Sequence, residues 1–201
     1  MVDLRQYTLH PGQRDTLIDL FDEHFVEGQE VCGMHIPGQF RDLDDPDRFV
    51  WLRGFRSLDV RAEALKAFYY GPTWRAHAEA ANATMVDSDN ALLLEPIQLG
   101  PDYPQVSAPR TSNSTPSVIT GMVHPAEPGF EEHLIHDLLP TLGVAPLAIF
   151  RSLSVPNNFP ALPLRDDTVL VWFARSPDEA AYRRWEGQVL RLAPTSRSQL
   201  H

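Results

Sequence analysis

Trp74, His77, Ala81 and Met85 recur at i, i+3, i+7 and i+11, the spacing that puts four side chains on one face of a helix. An aromatic ring, an imidazole and a thioether on one face suit two roles. In the first they form a core stripe, with His77 hydrogen-bonded inside. In the second the helix is a lid over a small-molecule pocket, and His77 acts there as general acid/base or orienting donor. Phe68 and Tyr69 precede this face, and Arg75 and Asn82 lie to one side of it, within reach of a pocket rim.

A second constellation lies on two strands. Arg5 and Tyr7 share a face of the first strand, and Trp51 and Arg53 share a face of a later one. If those strands are antiparallel neighbours, the faces coincide as an apolar wall carrying two guanidinium groups. Such a wall suits a carboxylate, phenolate or enolate. Equally, Arg5 and Arg53 could each pair with an Asp or Glu at an interface.

Other chemistry is weaker. His133 and His136 lie three apart beside Glu132 and Asp137; a metal there needs ligands from another element, and no partner motif is present. Cys32 is the single cysteine, so no intrachain disulfide forms, and it reads as a small apolar residue. The chain has no phosphate-cradling glycine loop, nucleophile elbow or paired-cysteine motif.

The elements that must position these residues follow from periodicity. A strand from Val2 to His10 leads through a His10-Pro11-Gly12 turn to a helix over 12–29. Cys32 to Leu43 is extended, with a break at Pro37-Gly38. A tight turn at 44–47 enters a strand at Phe49–Phe55, and Ser57 or Asp59 caps a helix to about Phe68. The Tyr69–Asp89 segment adds a further helix before a strand at Ala91–Glu95. Residues 100–116, rich in Pro, Ser and Thr, read as a linker.

The second half repeats the order. It has a strand at Ser117–Val123, a helix through Phe130–Leu139, strands at 148–153 and 168–174, a helix from Pro177 to about Glu186, and a strand at 189–194. The tail to His201 is polar and expected to fray. Matched positions are offset by 114 at His10/His124 and 119 at Arg56/Arg175, then by 98 at Pro96/Pro194. The fall from 119 to 98 gives the first copy about 21 extra residues, which are the Tyr69–Asp89 segment. The pattern predicts an α+β fold of two tandem βαββαβ modules, 1–99 and 117–201, with ferredoxin-like topology and an extra helix in the first. Because the second copy lacks that helix, it is assigned a functional role.

The first half resembles the NIPSNAP family. The likeness is carried by Leu4-Arg5-Gln6-Tyr7-Thr8-Leu9-His10-Pro11-Gly12, by Asp45 through Phe55, by Phe68 through His77 and by Ala81 through Asp89. The resemblance implies a ferredoxin-like α+β barrel related to the dimeric barrels of antibiotic-biosynthesis monooxygenases and stress-responsive barrel proteins. It implies a pocket rather than a reaction. Relatives of this fold bind haem, so a haem-binding barrel with His77 as axial ligand is one alternative.

Composition bounds the rest. The chain has 201 residues, 43% of them hydrophobic, enough for a sizeable core. A net charge of −10 with no basic stripe argues against nucleic acid or an anionic membrane as partner. Lys66 is the only lysine, so basic recognition falls to arginine forks. No apolar run approaches the roughly 18 residues of a membrane helix, and a cytoplasmic homodimer is expected. The leading expectation is a cofactor-independent small-molecule enzyme of isomerase, cyclase or monooxygenase type. Its ligand is expected to be aromatic or anionic. His77, Tyr7 and Arg53 would be catalytic, and Arg5, Trp51, Phe68, Tyr69, Trp74, Asn82 and Met85 would bind substrate. A non-catalytic binding or scaffold protein is the rival.

Overall fold

The computed structural model describes residues 1–106, 110, 117–175 and 186–201. The first half runs β1 (Val2–Leu9), helix α1 over 14–31, β2 (His35–Asp42), β3 (Arg48–Gly54), α2 (Leu58–Tyr69), α3 (Pro72–Asn82), β4 (Met85–Asp87) and β5 (Ala91–Leu99). The second half runs β6 (Ile119–Pro125), helix α4 over 130–141, β7 (Pro146–Ser152), β8 (Val169–Arg175) and β9 (Gln188–Pro194). The helix expected at 177–186 falls almost wholly outside the described residues.

Local chemistry accounts for the boundaries. Ser57, in an extended conformation, caps α2 by accepting a hydrogen bond from the Val60 N–H at 3.2 Å. Pro72 opens α3 at its first position, where a missing N–H costs nothing. The break expected at Pro37-Gly38 is a register shift between β2 and β3. Both long helices contain a π turn, Phe21–Phe25 in α1 and Leu134–Leu138 in α4. The extra carbonyl-to-amide step widens the helix locally and turns Phe21 and Phe25 onto the sheet.

All the long strands join one antiparallel sheet in the order β3-β2-β9-β6-β8-β7-β5-β1, with short β4 beside the C-terminal end of β1. Pairing of β1 with β3 closes it into a barrel. The first-half strands are ordered β5-β1-β3-β2 and the second-half strands β9-β6-β8-β7. The halves meet at two seams, β2 with β9 and β5 with β7. The edges that could have recruited a partner chain are therefore used within the chain.

Alternation sorts the side chains. Leu4, Val50, Leu52, Leu92, Val171, Phe173, Leu190 and Leu192 fill the barrel. On the outer face, Tyr7, Phe49 and Trp51 meet α1, α2 and α3. Met122, Ile149, Leu170 and Trp172 meet α4.

Two expectations are corrected, on the tail and on the match of His10 with His124. The tail does not fray: the Leu200 side chain is fully buried in the barrel cluster, and its N–H donates to the Pro37 carbonyl at 2.9 Å. Ser198, also buried, accepts from the Gln39 N–H at 3.2 Å and helps to dock it. The stretch after β5 is anchored by Tyr103, buried edge-on against Phe150 at 6.1 Å. His10 and His124 do not correspond. His10 follows β1 and is exposed, whereas His124 lies within β6 and is buried. Because β1 residues with even numbers and β6 residues with odd numbers face the barrel, the true offset is odd, as at Arg56/Arg175.

Candidate functional site

The expected coincidence of two strand faces is present. In the β1–β3 ladder Asp3 pairs with Arg53, Arg5 with Trp51 and Tyr7 with Phe49, all on the face turned toward the helices. The helices cover this face in layers. α1 brings Leu17, Phe21, Phe25 and Gln29, α2 brings Phe68 and Tyr69, and α3 brings Trp74 and Ala81. With Tyr7, Trp51 and Met85 these residues enclose a cavity of about 20 Å³. Room of that size holds about one water-sized group. The aromatic walls meet mainly edge to face: Tyr7 on Trp51 at 5.8 Å, Phe21 on Trp51 at 4.8 Å and Tyr69 on Trp74 at 4.9 Å.

α2 and α3 are joined by only Tyr70 and Gly71. A Cβ on Gly71 would lie 2.3 Å from the Ala67 carbonyl oxygen, so no side chain fits at this corner. α3 is thus a short helix hung on a tight corner over the cavity.

Beneath the aromatic layer lies a fully buried ionic cluster. Arg53 donates through Nη2 to Asp3 Oδ2 at 2.8 Å and through Nε at 3.3 Å. Arg61, from α2, donates Nε to Asp3 Oδ1 at 3.3 Å. Arg5 Nη1 lies 3.9 Å from Asp3 Oδ2. One carboxylate therefore faces three guanidiniums, and all four side chains are 0% exposed. Burial pushes the Asp3 carboxyl up, but Arg53, Arg61 and Arg5 together pull it below its ordinary value. Arg61 goes the other way: burial lowers its pKa, Asp3 opposes this, and the like charges of Arg53 and Arg5 add to the lowering.

Neutral oxygens take up much of the remaining hydrogen bonding. Arg5 Nε donates to the Tyr7 hydroxyl at 3.0 Å and its Nη2 to the Ser88 carbonyl. Arg53 Nη1 donates to Gln29 Oε1 and to the Tyr69 hydroxyl, each at 3.3 Å. Arg61 Nη1 donates to Asn157 and Asn158, which come from the loop between β7 and β8. Phe159 of that loop stacks on Tyr69 at 6.0 Å, so the second half straps the first-half site. Burial raises the Tyr7 pKa, against the opposing pull of Arg5, so the hydroxyl stays protonated.

The structure brings Tyr7, Trp51, Phe68, Tyr69, Trp74 and Met85 together around the cavity, with Arg5 and Arg53 one layer below. It does not bring His77 there. The His77 ring stacks on His24 at 3.8 Å, at the outer seam of α3 and α1. Asn82 is exposed at the end of α3. No histidine lines the cavity, so its residues do not fit a haem with a histidine axial ligand. His133 bonds Asp137 at 2.9 Å, and no group of three metal-ligating side chains occurs among the described residues. Among those residues, no helix is long and apolar enough to cross a membrane. Sequence reading missed Asp3 and Arg61. The signal for Asp3 was its place on the Arg5–Tyr7 face of β1. Arg61 had none, because a helical arginine ordinarily faces water.

Comparison with solved structures shows the fold at full length. An anthrone oxidase-like protein is 11% identical with a TM-score of 0.56, covering 96% of this chain and 90% of its own. A protein provisionally assigned as a monooxygenase, from Fusobacterium nucleatum subsp. nucleatum, is 7% identical with a TM-score of 0.54, covering 96% and 91%. A NIPSNAP family protein from Agrobacterium tumefaciens is 24% identical with a TM-score of 0.44, covering 50% of this chain and 95% of its own. No curated protein matches the chain. The NIPSNAP family description matches residues 2–100, the span that contains β1 to β5, the cavity and the three arginines. This first half of the chain belongs to the NIPSNAP family.

Proposed function

We propose that the chain is two tandem ferredoxin-like modules, 1–99 and 117–201 joined through 100–116, and that the first is a pocket for a small aromatic molecule. The observation that carries this reading is the cavity enclosed by Tyr7, Trp51, Tyr69 and Trp74 beneath a helix hung on a tight corner. The cavity is too small for such a ligand as it stands, so α3 and Tyr69 must move outward to admit one.

The chemistry proposed is of isomerase, cyclase or monooxygenase type, without a resident organic cofactor. Each of these can pass through an enolate- or phenolate-like species. In this reading Tyr7, kept protonated and held by Arg5, donates a hydrogen bond to the developing oxyanion, and Arg53 supplies positive charge behind it; the Arg5–Tyr7 and Arg53–Tyr69 hydrogen bonds support these roles. His77, at the seam with His24, is assigned proton exchange with solvent when α3 opens. Asn82 stands beside that opening.

A non-catalytic binding protein is the second reading, favoured by one fact: the titratable groups lining the cavity are Tyr7 and Tyr69 alone. A homodimer is also proposed. With the sheet edges paired internally, it would use another surface, and light scattering at micromolar concentration giving 22.7 kDa would defeat it.

Mass spectrometry of ligand released from the purified protein, followed by incubation of that ligand with wild type and His77→Ala, tests the leading reading. Conversion by wild type and a loss of roughly 10²–10⁴-fold in the variant support it. Equal conversion by folded His77→Ala removes His77 from the chemistry. Tight binding with no conversion by either protein selects the binding reading.

A further inference from the structure

We propose that the Arg5–Arg53–Arg61 cluster is an anion subsite that takes the carboxylate of an aromatic organic acid, with Asp3 as its resident counter-ion. The proposal rests on the reading of the cavity above and names the class of ligand.

Charge is the first argument. Three guanidiniums and one carboxylate, all fully buried, leave an excess of two positive charges. Buried charge is expensive unless paired, and the penalty remains several kcal/mol per ion after relaxation. The groups packed around the cluster are neutral: the Tyr7 and Tyr69 hydroxyls, the Gln29, Asn157 and Asn158 amides and the Ser88 carbonyl. Asp59 and Glu63, the acids on the helix that carries Arg61, are exposed.

Unused donors are the second. Arg5 Nη1, Arg61 Nη2 and Trp51 Nε1 are buried and have no hydrogen-bond partner. Buried donors of this kind are seldom left unpaired; Arg5 and Arg61 both face Asp3, Trp51 is the cross-strand partner of Arg5, and their free donors call for an acceptor. A carboxylate offers two oxygens with about four acceptor sites and matches the planar guanidinium fork.

Position is the third. Tyr7, Gln29 and Tyr69 hydrogen-bond Arg5 or Arg53 from one side and line the aromatic cavity on the other; Trp51 also lines it, with the Arg53 guanidinium over its ring at 5.1 Å. A ligand whose ring lies against Trp51 and Trp74 would carry its acid group toward the cluster.

Titration calorimetry and thermal denaturation with sodium benzoate as probe, benzamide as its neutral counterpart and inorganic phosphate as a second anion provide the test. Saturable binding of benzoate, with benzamide at least about tenfold weaker, is expected, because only the carboxylate can offset the excess charge of the guanidiniums. Trp51→Phe keeps an aromatic wall but loses the indole N–H and part of the ring, and Arg61→Gln loses one charge. Arg61→Gln is expected to weaken benzoate several-fold and to leave benzamide unchanged, and Trp51→Phe to weaken benzoate more than benzamide. Asp3→Asn, where it folds, is expected to bind benzoate more tightly and to regain thermal stability when benzoate is added. Equal affinity for benzoate and benzamide, or benzoate affinity untouched in both Trp51→Phe and Arg61→Gln, overturns the proposal. Phosphate binding tighter than benzoate overturns the assignment to a carboxylate. Trp74→Ala separates the two readings. If it abolishes benzamide binding but spares a benzoate-specific component, the subsite stands apart from the aromatic cavity. If benzoate shows no charge preference while Trp74→Ala still weakens both probes, the cavity survives and the subsite does not.

Discussion

The barrel carries two comparable outer faces, and their centres differ in kind. On β1 and β3 the central outward pairs are Asp3 with Arg53 and Arg5 with Trp51. On β6 and β8 they are Met122 with Trp172 and His124 with Leu170. In the second face Trp172 donates its Nε1 proton to His124 at 3.2 Å, and apolar residues surround them. The fold therefore does not require ions at this place. Replacing a buried ion cluster by well-packed apolar side chains is often neutral or stabilising. Retention of three arginines and an aspartate in the first face is an expense that stability does not explain, and a ligand does.

That contrast can be broken by mutation. The largest effect is expected for Asp3→Asn, which leaves three buried guanidiniums with no counter-ion. Denaturant unfolding should show a loss of about 3–5 kcal/mol. Replacing Asp3 by Met together with Arg53 by Trp writes the second face's pair into the first and should cost less than Asp3→Asn alone, with benzoate binding lost. A double variant less stable than Asp3→Asn would mean that the two faces are not interchangeable in packing.

Acid should separate the faces next. The carboxyl of Asp3 has a lowered pKa in the fold, so its contribution is present above the unfolded value of about 4 and fades as pH falls below that. His124 and His35 are also lowered, mainly by burial, with hydrogen bonds opposing. The unfolded chain therefore binds their protons first. Stability should begin to fall below about pH 6.5 and go on falling until the folded imidazoles charge. Equilibrium unfolding across pH 3–8 should show two limbs. Replacing His124 by Leu should shrink the upper one, and stability in that variant as steep between pH 5 and 6.5 as in wild type would count against the burial argument. A smaller effect is expected for Ser57→Ala, about 1 kcal/mol from loss of the α2 cap, with no change in benzoate affinity.

Much of this was legible in the sequence because period and parity carry it. Alternation in Val2–Leu9 and Phe49–Phe55 placed Arg5, Tyr7, Trp51 and Arg53 on one wall, and the antiparallel pairing followed from the strand order. The drop in offset marked out the segment that became α3 and β4. What the sequence withheld were properties of rotation and distance. Trp74 and His77 are three residues apart, yet only Trp74 lines the cavity, because the helix axis directs His77 to the edge of α1. Arg61 looked like one more charge on an amphipathic helix until the sheet beneath it proved to be charged. Asn157 and Asn158 lie in a loop with no periodicity at all.

Those two asparagines have a consequence for how the chain acquires its shape. Asn157 and Asn158 reach Arg61 across 96 and 97 residues of sequence, and Phe159 meets Tyr69 across a similar distance. The β2–β9 seam that seals the barrel spans a still longer stretch. Contacts so remote must wait for large loops to close, and closure of long loops is slow. The first half can form its own ladders and helices early, but the covering of Arg61 comes late. Until then Arg61 is expected to stand open to water, where its charge is well solvated, so the cluster is closed off only once the β7–β8 loop has arrived. An order of folding set by loop length would thus keep the guanidiniums hydrated until the barrel is closed.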